Sequence, residues 1–452
     1  MANKRLTLPK SWPKFASLIN AIVICLVGMA TIVFVSESCS KAKFESLRQD
    51  NHVVFIDFFK YYICGKLASA HDIHDRHSPY DPNVQYKYLA SYANATDRQK
   101  VEYIEYPPQD FVLMMPLAQL PPHQAYIAFV LANALLGSGG LLYLCSVQKK
   151  GWRSICYILA ALACAPMFRA VTLGQPTFGL LGLIALYIAT WQRKRDLAAG
   201  LLLAVIAIKP QYAVFMGVQA LAARRYKIVL VSLLAMALLL IVAACVIGPQ
   251  NIWTYPSVIA NAARAADLAG SYGEQMANLR AMLMVLAGLD KDAALTACSF
   301  ACAVSLVALF IICSVTLSTS NKPAANPALA IVFALYFSPH VHIYDTVLLI
   351  LLAITAPANA VILTTGMSIL PLASWLPFFC RTANKPALLC HLPLSIWQYC
   401  YWPSARSQAS LSPRAVPVAA IVPEGNSSAD LALLNTLDIL PGLISCTNPT
   451  TE

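Results

Sequence analysis

Charge is what this chain has least of. Only 12% of its 452 residues are Asp, Glu, Lys or Arg, against 58% hydrophobic, and the mean hydropathy is +0.62. A soluble globular chain carries about a quarter charged residues, so the polar surface that two or three soluble cores would need is missing. Carboxylates are absent altogether from 111 to 195. No CxxC spacing occurs among the 14 cysteines, which removes the commonest zinc and redox patterns. Most cysteines lie in apolar runs, where Cys behaves as a small hydrophobe. Internal repeats, coiled-coil heptads, a Walker loop and a GxGxxG turn between strand and helix are missing too. Composition excludes disorder, collagen and a small disulfide scaffold. An all-α polytopic membrane protein remains.

What charge there is has a pattern. The net charge is +11, yet 11 of the 21 acids fall between Glu37 and Asp110. The bases gather in short clusters between apolar runs: Lys149, Lys150 and Arg153; Arg193, Lys194 and Arg195; Arg224, Arg225 and Lys227. Such clusters mark the cytoplasmic ends of spans. Because they flank spans and form no continuous face in the sequence, nucleic acid is not an expected partner.

The basic amino terminus and the apolar run 17–36 read as a retained first span, amino end inside. A polar outer loop, 37–110, follows. Further spans are predicted at 122–146, 154–170, 176–191, 197–222, 228–248, 293–317, 327–338, 343–356, 359–379 and 386–402, ten to twelve in all. Lys209-Pro210 interrupts 197–222, as in a broken or re-entrant helix. A second outer loop, 249–290, carries Trp253, Tyr255, Tyr272, Glu274 and Arg280. Residues 1–402 therefore read as a membrane-embedded domain and 403–452, rich in Ser, Pro and Ala, as a mostly disordered cytoplasmic tail.

Polar residues that should be expensive in this setting are the candidate site. Asp57 lies in VVFIDFFKYYICGKL, where an interfacial carboxylate needs a partner or a function. It could serve as a general base whose apolar surroundings raise its pKa, or simply pair with Lys60 or Lys66. Gly174-Gln175-Pro176 and Lys209-Pro210-Gln211 put polar groups among apolar ones, and no acid near Lys209 in sequence neutralises it. A phosphate or a distant carboxylate would. SPHVHIYDT, residues 338–346, sets His340, His342, Tyr344 and Asp345 at one interface. HDIHDRH (71–77) reads as a solvated polar turn rather than a zinc site, and no metal or cofactor is expected.

The order of these pieces resembles glycosyltransferase family 87, the polyprenol-phosphate-sugar-dependent mannosyltransferases. The matching segments are DFFKYYICG (57–65), YDP (80–82), YPP with PLAQLP (106–108 and 116–121), GQP (174–176), AGLLLAVIAIKPQ (199–211) and SPHVHIYD (338–345). The resemblance implies a GT-C-type bundle whose first outer loop carries the catalytic acid. By that likeness Asp57 is the base, Lys209 holds the donor phosphate, and His340 or His342 assists near the transferred sugar. Arg169 and Arg280 are candidate helpers at the phosphate. Tyr61, Tyr62 and Tyr106 would stack on sugars, with Gln175, Gln211 and Asp345 as further substrate contacts. The implied reaction moves a hexosyl group, mannosyl by the likeness, from a polyprenyl-phosphate donor to a glycolipid or polysaccharide hydroxyl, with inversion. It would take place on the outer face of a bacterial plasma membrane. The rival expectation is a transporter or flippase of a lipid-linked sugar or small solute, which accounts for the broken helix but not for the polar groups of the first outer loop.

Overall fold

The computed structural model describes residues 48–49, 52–53, 56–70, 78–88 in part, 104–268 apart from Trp152, 276–319 apart from Gly288, and 327–355. The expected first span 17–36, the His-rich turn 71–77, Tyr272 and Glu274, the spans after 356 and the tail 403–452 lie outside them. All described residues belong to the unit Met1–Trp402.

The described chain is helical apart from a two-residue antiparallel ladder, Arg48–Gln49 with His52–Val53. In order come α1 (Ile56–Ser69), α2 (Pro108–Ala118), α3 (Pro122–Val147), α4 (Arg153–Ala163), α5 (Ala165–Leu173) and α6 (Thr177–Gln192). Then follow α7 (Asp196–Ile206), α8 (Pro210–Ala222), α9 (Tyr226–Ile247), α10 (Pro249–Leu268), α11 (Leu279–Leu286), α12 (Lys291–Thr319) and α13 (Ala328–Phe337). A 3₁₀ segment, Ile343–Leu349, leads into α14 (Ile350–Thr355).

Three of these helices, within α3, α9 and α12, are long and apolar enough to cross a bilayer, and α6, α7 and α13 are shorter apolar helices. α9 shows why hydrophobicity here is not amphipathic: Leu230, Leu233, Leu234 and Leu238 are all exposed. In lipid an outward leucine costs nothing, so the pattern that marks a soluble helix disappears. Without a hydrophobic drive between helices, packing relies on small residues. α3 crosses α6 at Gly140 and Gly182, where a Cβ on Gly140 would stand 2.2 Å from the Gly182 carbonyl oxygen.

The structure departs from the predicted spans in three places. The stretch 154–170 is two helices, broken where Cys164 turns extended (φ −80°, ψ 147°) ahead of Pro166, whose ring cannot continue α4. The second outer loop is largely helical, as α10 and α11. The stretch 343–356 begins as a tight 3₁₀ turn rather than an α-helix. The break at Lys209 is as predicted, with Lys209 at φ −118°, ψ 88° between α7 and α8. The break frees the Ala207 carbonyl, which accepts from Gln109 Nε2 at 3.1 Å.

Candidate functional site

Two non-helical turns deliver polar groups to one place. The first follows α5, where Gly174 takes the left-handed conformation (φ +74°) and closes the helix with bonds from Gly174 N to Val171 O and from Gln175 N to Ala170 O. Glycine is needed twice over here. A side chain resists that φ, and a Cβ would lie 2.4 Å from Phe58 Cβ on α1. That close approach lets Gln175 Nε2 donate to Asp57 Oδ2 at 2.8 Å. Asp57 sits in the first turn of α1, buried, with Lys60 Nζ 3.9 Å from Oδ1 one turn later. Its surroundings are therefore not purely apolar, as the sequence suggested. An amide donor and an ammonium group both flank it.

The second turn is Ser338–His342. It is pinned from three sides: Asn278 Nδ2 donates to Ser338 O (2.8 Å), Ala277 N to Val341 O (2.9 Å), and Gln211 Nε2 to His340 O (3.2 Å). Met276 and His342 also form an antiparallel bridge. His340 and His342 meet edge to face at 4.9 Å, and His342 stacks on Tyr344 at 5.1 Å. His340 Nε2 lies 3.9 Å from Glu105 Oε1, in the turn that enters α2.

The partner of Lys209 is a distant carboxylate. Its Nζ meets Asp345 Oδ1 at 2.7 Å across 136 residues of sequence, and also lies 4.9 Å from the Tyr344 ring centre. Both members of the pair are buried. Desolvation holds the His342 pKa well below the ordinary imidazole value, and the neighbouring His340, Lys209, Lys60 and Arg169 lower it further. Lys60 from α1, Arg169 from α5, Lys209 from the α7–α8 break and His340 thus lie within electrostatic range of His342. Lys60, Arg169 and Lys209 bring three permanent cations to the carboxylates Asp57, Asp345 and Glu105, and ammonium and guanidinium groups are the side chains that bind phosphate.

The aromatic residues named from sequence occupy different roles. Tyr61 and Tyr106 stack on each other, centres 4.0 Å apart and planes 7° from parallel. Tyr62 is turned into the aromatic core with Phe58, its hydroxyl donating to Leu120 O at 2.9 Å. Arg280 is buried at the head of α11, near Cys298 of α12. Asp57, Tyr61, Tyr106, Arg169, Gln175, Lys209, Gln211, His340, His342 and Asp345 gather around the two turns.

Sequence reasoning missed one participant, Asp110, and left two others, Lys60 and Tyr344, without a role in the site. Lys60 was weighed only as a salt-bridge partner of Asp57. Tyr344, in the same motif as His342, lies between that imidazole and the Lys209 ammonium. Asp110, in the first turn of α2, is 1% exposed, and neither carboxyl oxygen has a hydrogen-bond partner among the described residues. Burial raises its pKa well above the ordinary carboxylate value, and it lies near Tyr61 and Cys64. The legible signal was its place directly after Tyr106-Pro107-Pro108-Gln109, where the chain enters the bundle. Among the described residues, no group of His, Cys, Asp and Glu is arranged to hold a metal ion.

No curated protein and no solved structure matches the chain. The family model for glycosyltransferase family 87 matches residues 103–339. That match covers more than half of the chain, from the Tyr106-Pro107-Pro108 turn through Gln175 and Lys209 to Ser338. An all-α membrane chain matched by this family model over more than half of its length belongs to glycosyltransferase family 87.

Proposed function

We propose a donor and an acceptor for this chain, a membrane glycosyltransferase. The donor is a polyprenyl-phosphate-linked hexose, mannose by the family likeness, and the acceptor is a glycolipid or polysaccharide hydroxyl. Asp57 accepts the acceptor proton as the hydroxyl oxygen attacks the anomeric carbon. The bond from that carbon to the phosphate oxygen breaks on the opposite face, and the phosphate leaves with the electron pair, inverting the centre. Gln175 orients the carboxylate. Lys209, Lys60 and Arg169 receive the charge that grows on the phosphate.

The observation that carries this reading is Asp57, a buried carboxylate that accepts a hydrogen bond from the Gln175 amide at 2.8 Å and has the Lys60 ammonium 3.9 Å away. Location is read from the helix ends. The site lies at the amino-terminal ends of α6 and α8, and the basic clusters lie at their carboxy-terminal ends. If the basic end is cytoplasmic, the site opens on the outer face of a bacterial plasma membrane.

The test is transfer of radiolabelled mannose from polyprenyl-phosphate-mannose to extracted lipids by purified protein, wild type against Asp57→Asn. Product from the wild type alone supports Asp57 as base. Equal product from both retains the enzyme and refutes the site. Inactivity of the wild type with several polyprenyl-phosphate sugars refutes the donor.

A further inference from the structure

The basic clusters, separate in sequence, form one face in the structure. α3, α6 and α8 end in the same motif. In each, the residue just past the C-cap takes a left-handed backbone: Lys149 at φ 54°, Lys194 at 56° and Arg224 at 55°. In each, its N–H bonds the carbonyl three residues back, and the next N–H bonds the one five back. The first bonds are Lys149 N to Ser146 O, Lys194 N to Trp191 O and Arg224 N to Leu221 O. The second are Lys150 N to Cys145 O, Arg195 N to Thr190 O and Arg225 N to Ala220 O.

Glycine normally fills the left-handed position because a Cβ disfavours it. At the site end of the bundle the equivalent residue is indeed Gly174. At this end all three are Lys or Arg, and each is followed by a second basic residue. Topology requires positive charge somewhere in these turns, but not at the one position where it is conformationally costly.

The three turns adjoin. Gln148 Nε2 donates to Gln192 Oε1 at 2.8 Å, and Arg225 Nη1 to Trp191 O at 2.7 Å. The one acid in the turns, Asp196, is paired with Arg225. Lys149, Arg193, Lys194, Arg195, Arg224 and Lys227 remain exposed. Immediately beside them, Leu142, Leu197, Tyr226 and Leu230 are exposed as well. A surface that joins exposed cations to exposed apolar side chains at the ends of membrane helices matches a lipid, with its phosphate on the bases and its chains on the leucines.

We infer that the Schellman turns at Lys149, Lys194 and Arg224 together form a binding face for anionic phospholipid headgroups. The test uses the full chain in detergent, titrated with dioleoyl phosphatidylglycerol or dioleoyl phosphatidylcholine and read by native mass spectrometry. Wild type is compared with the triple variant Lys149→Gly, Lys194→Gly, Arg224→Gly. Glycine suits each backbone, so the variant keeps its fold, and its thermal unfolding temperature is expected to hold or rise. A basic residue near an anionic surface contributes about fivefold in affinity, so phosphatidylglycerol affinity should fall about a hundredfold, with phosphatidylcholine binding unchanged. The variant Lys149→Arg, Lys194→Arg, Arg224→Lys should bind as wild type. Equal phosphatidylglycerol binding by wild type and glycine variant overturns the inference. So does a wild type with no preference between the two lipids, a result that points to an acidic protein segment instead.

Discussion

Replacing Lys209 by methionine removes one charge from a buried pair and leaves Asp345, 1% exposed, without its partner. At 2.7 Å the gross attraction is about 6 kcal/mol for an effective dielectric constant of 20. Desolvation of the two ions costs several kcal/mol each, so the intact pair contributes little net stability. Breaking it is another matter, because the surviving ion keeps its desolvation cost and loses its compensation. Lys209→Met and Asp345→Leu should each destabilise the protein by about 3–5 kcal/mol. The double variant should recover most of that loss, since an apolar pair of similar size replaces both ions. The assay is equilibrium unfolding of the detergent-solubilised protein across the double-mutant cycle, followed by tryptophan fluorescence. Single variants within about 1 kcal/mol of wild type, or a double variant whose loss equals the sum of the two, would refute the argument. The same cycle run on transfer activity separates the two duties of Lys209. The double variant should recover stability without activity if the ammonium also holds the donor phosphate.

Three further outcomes follow from the geometry. Gly174→Ala should lower transfer at least tenfold, because φ +74° and the 2.4 Å approach to Phe58 together drive Gln175 off Asp57; unchanged activity would show that the Gln175 bond is dispensable. His342 has a depressed pKa in the folded protein, so the unfolded chain takes up its proton first as pH falls. The stability contributed by the neutral imidazole is present above about pH 6.5 and declines below it, by at most about 1.4 kcal/mol per pH unit. That acid-side slope should shrink in His342→Gln, and equal slopes would remove His342 as the cause. Gly140→Ala puts a methyl group 2.2 Å from the Gly182 carbonyl oxygen, which should separate α3 from α6 and lower the thermal unfolding temperature by several degrees.

What the residues determine on their own is the solvent of the fold and the order of its parts. A chain with 12% charge cannot cover itself in water, so the helical membrane class follows from composition. Proline explains the broken helices at Pro166 and Pro210 locally, although only the second was predicted, because the stretch around Pro166 stayed apolar enough to read as a single span. Asp57, Lys209 and the His340–Asp345 motif stood out because polar groups among apolar ones need partners. Which partners they have is a matter of long-range packing. Gln175 is 118 residues from Asp57, and Asp345 is 136 from Lys209. No local pattern encodes such distances, and the close approach that closes the first depends on a missing Cβ at Gly174. The same holds for Asp110, unremarkable in sequence and costly only once buried, and for Tyr61 and Tyr106, which stack on each other. The basic clusters gave the end of the bundle by sequence alone. That they make one continuous surface was decided by three helices stopping side by side, because charge is written residue by residue but a face exists only where elements meet.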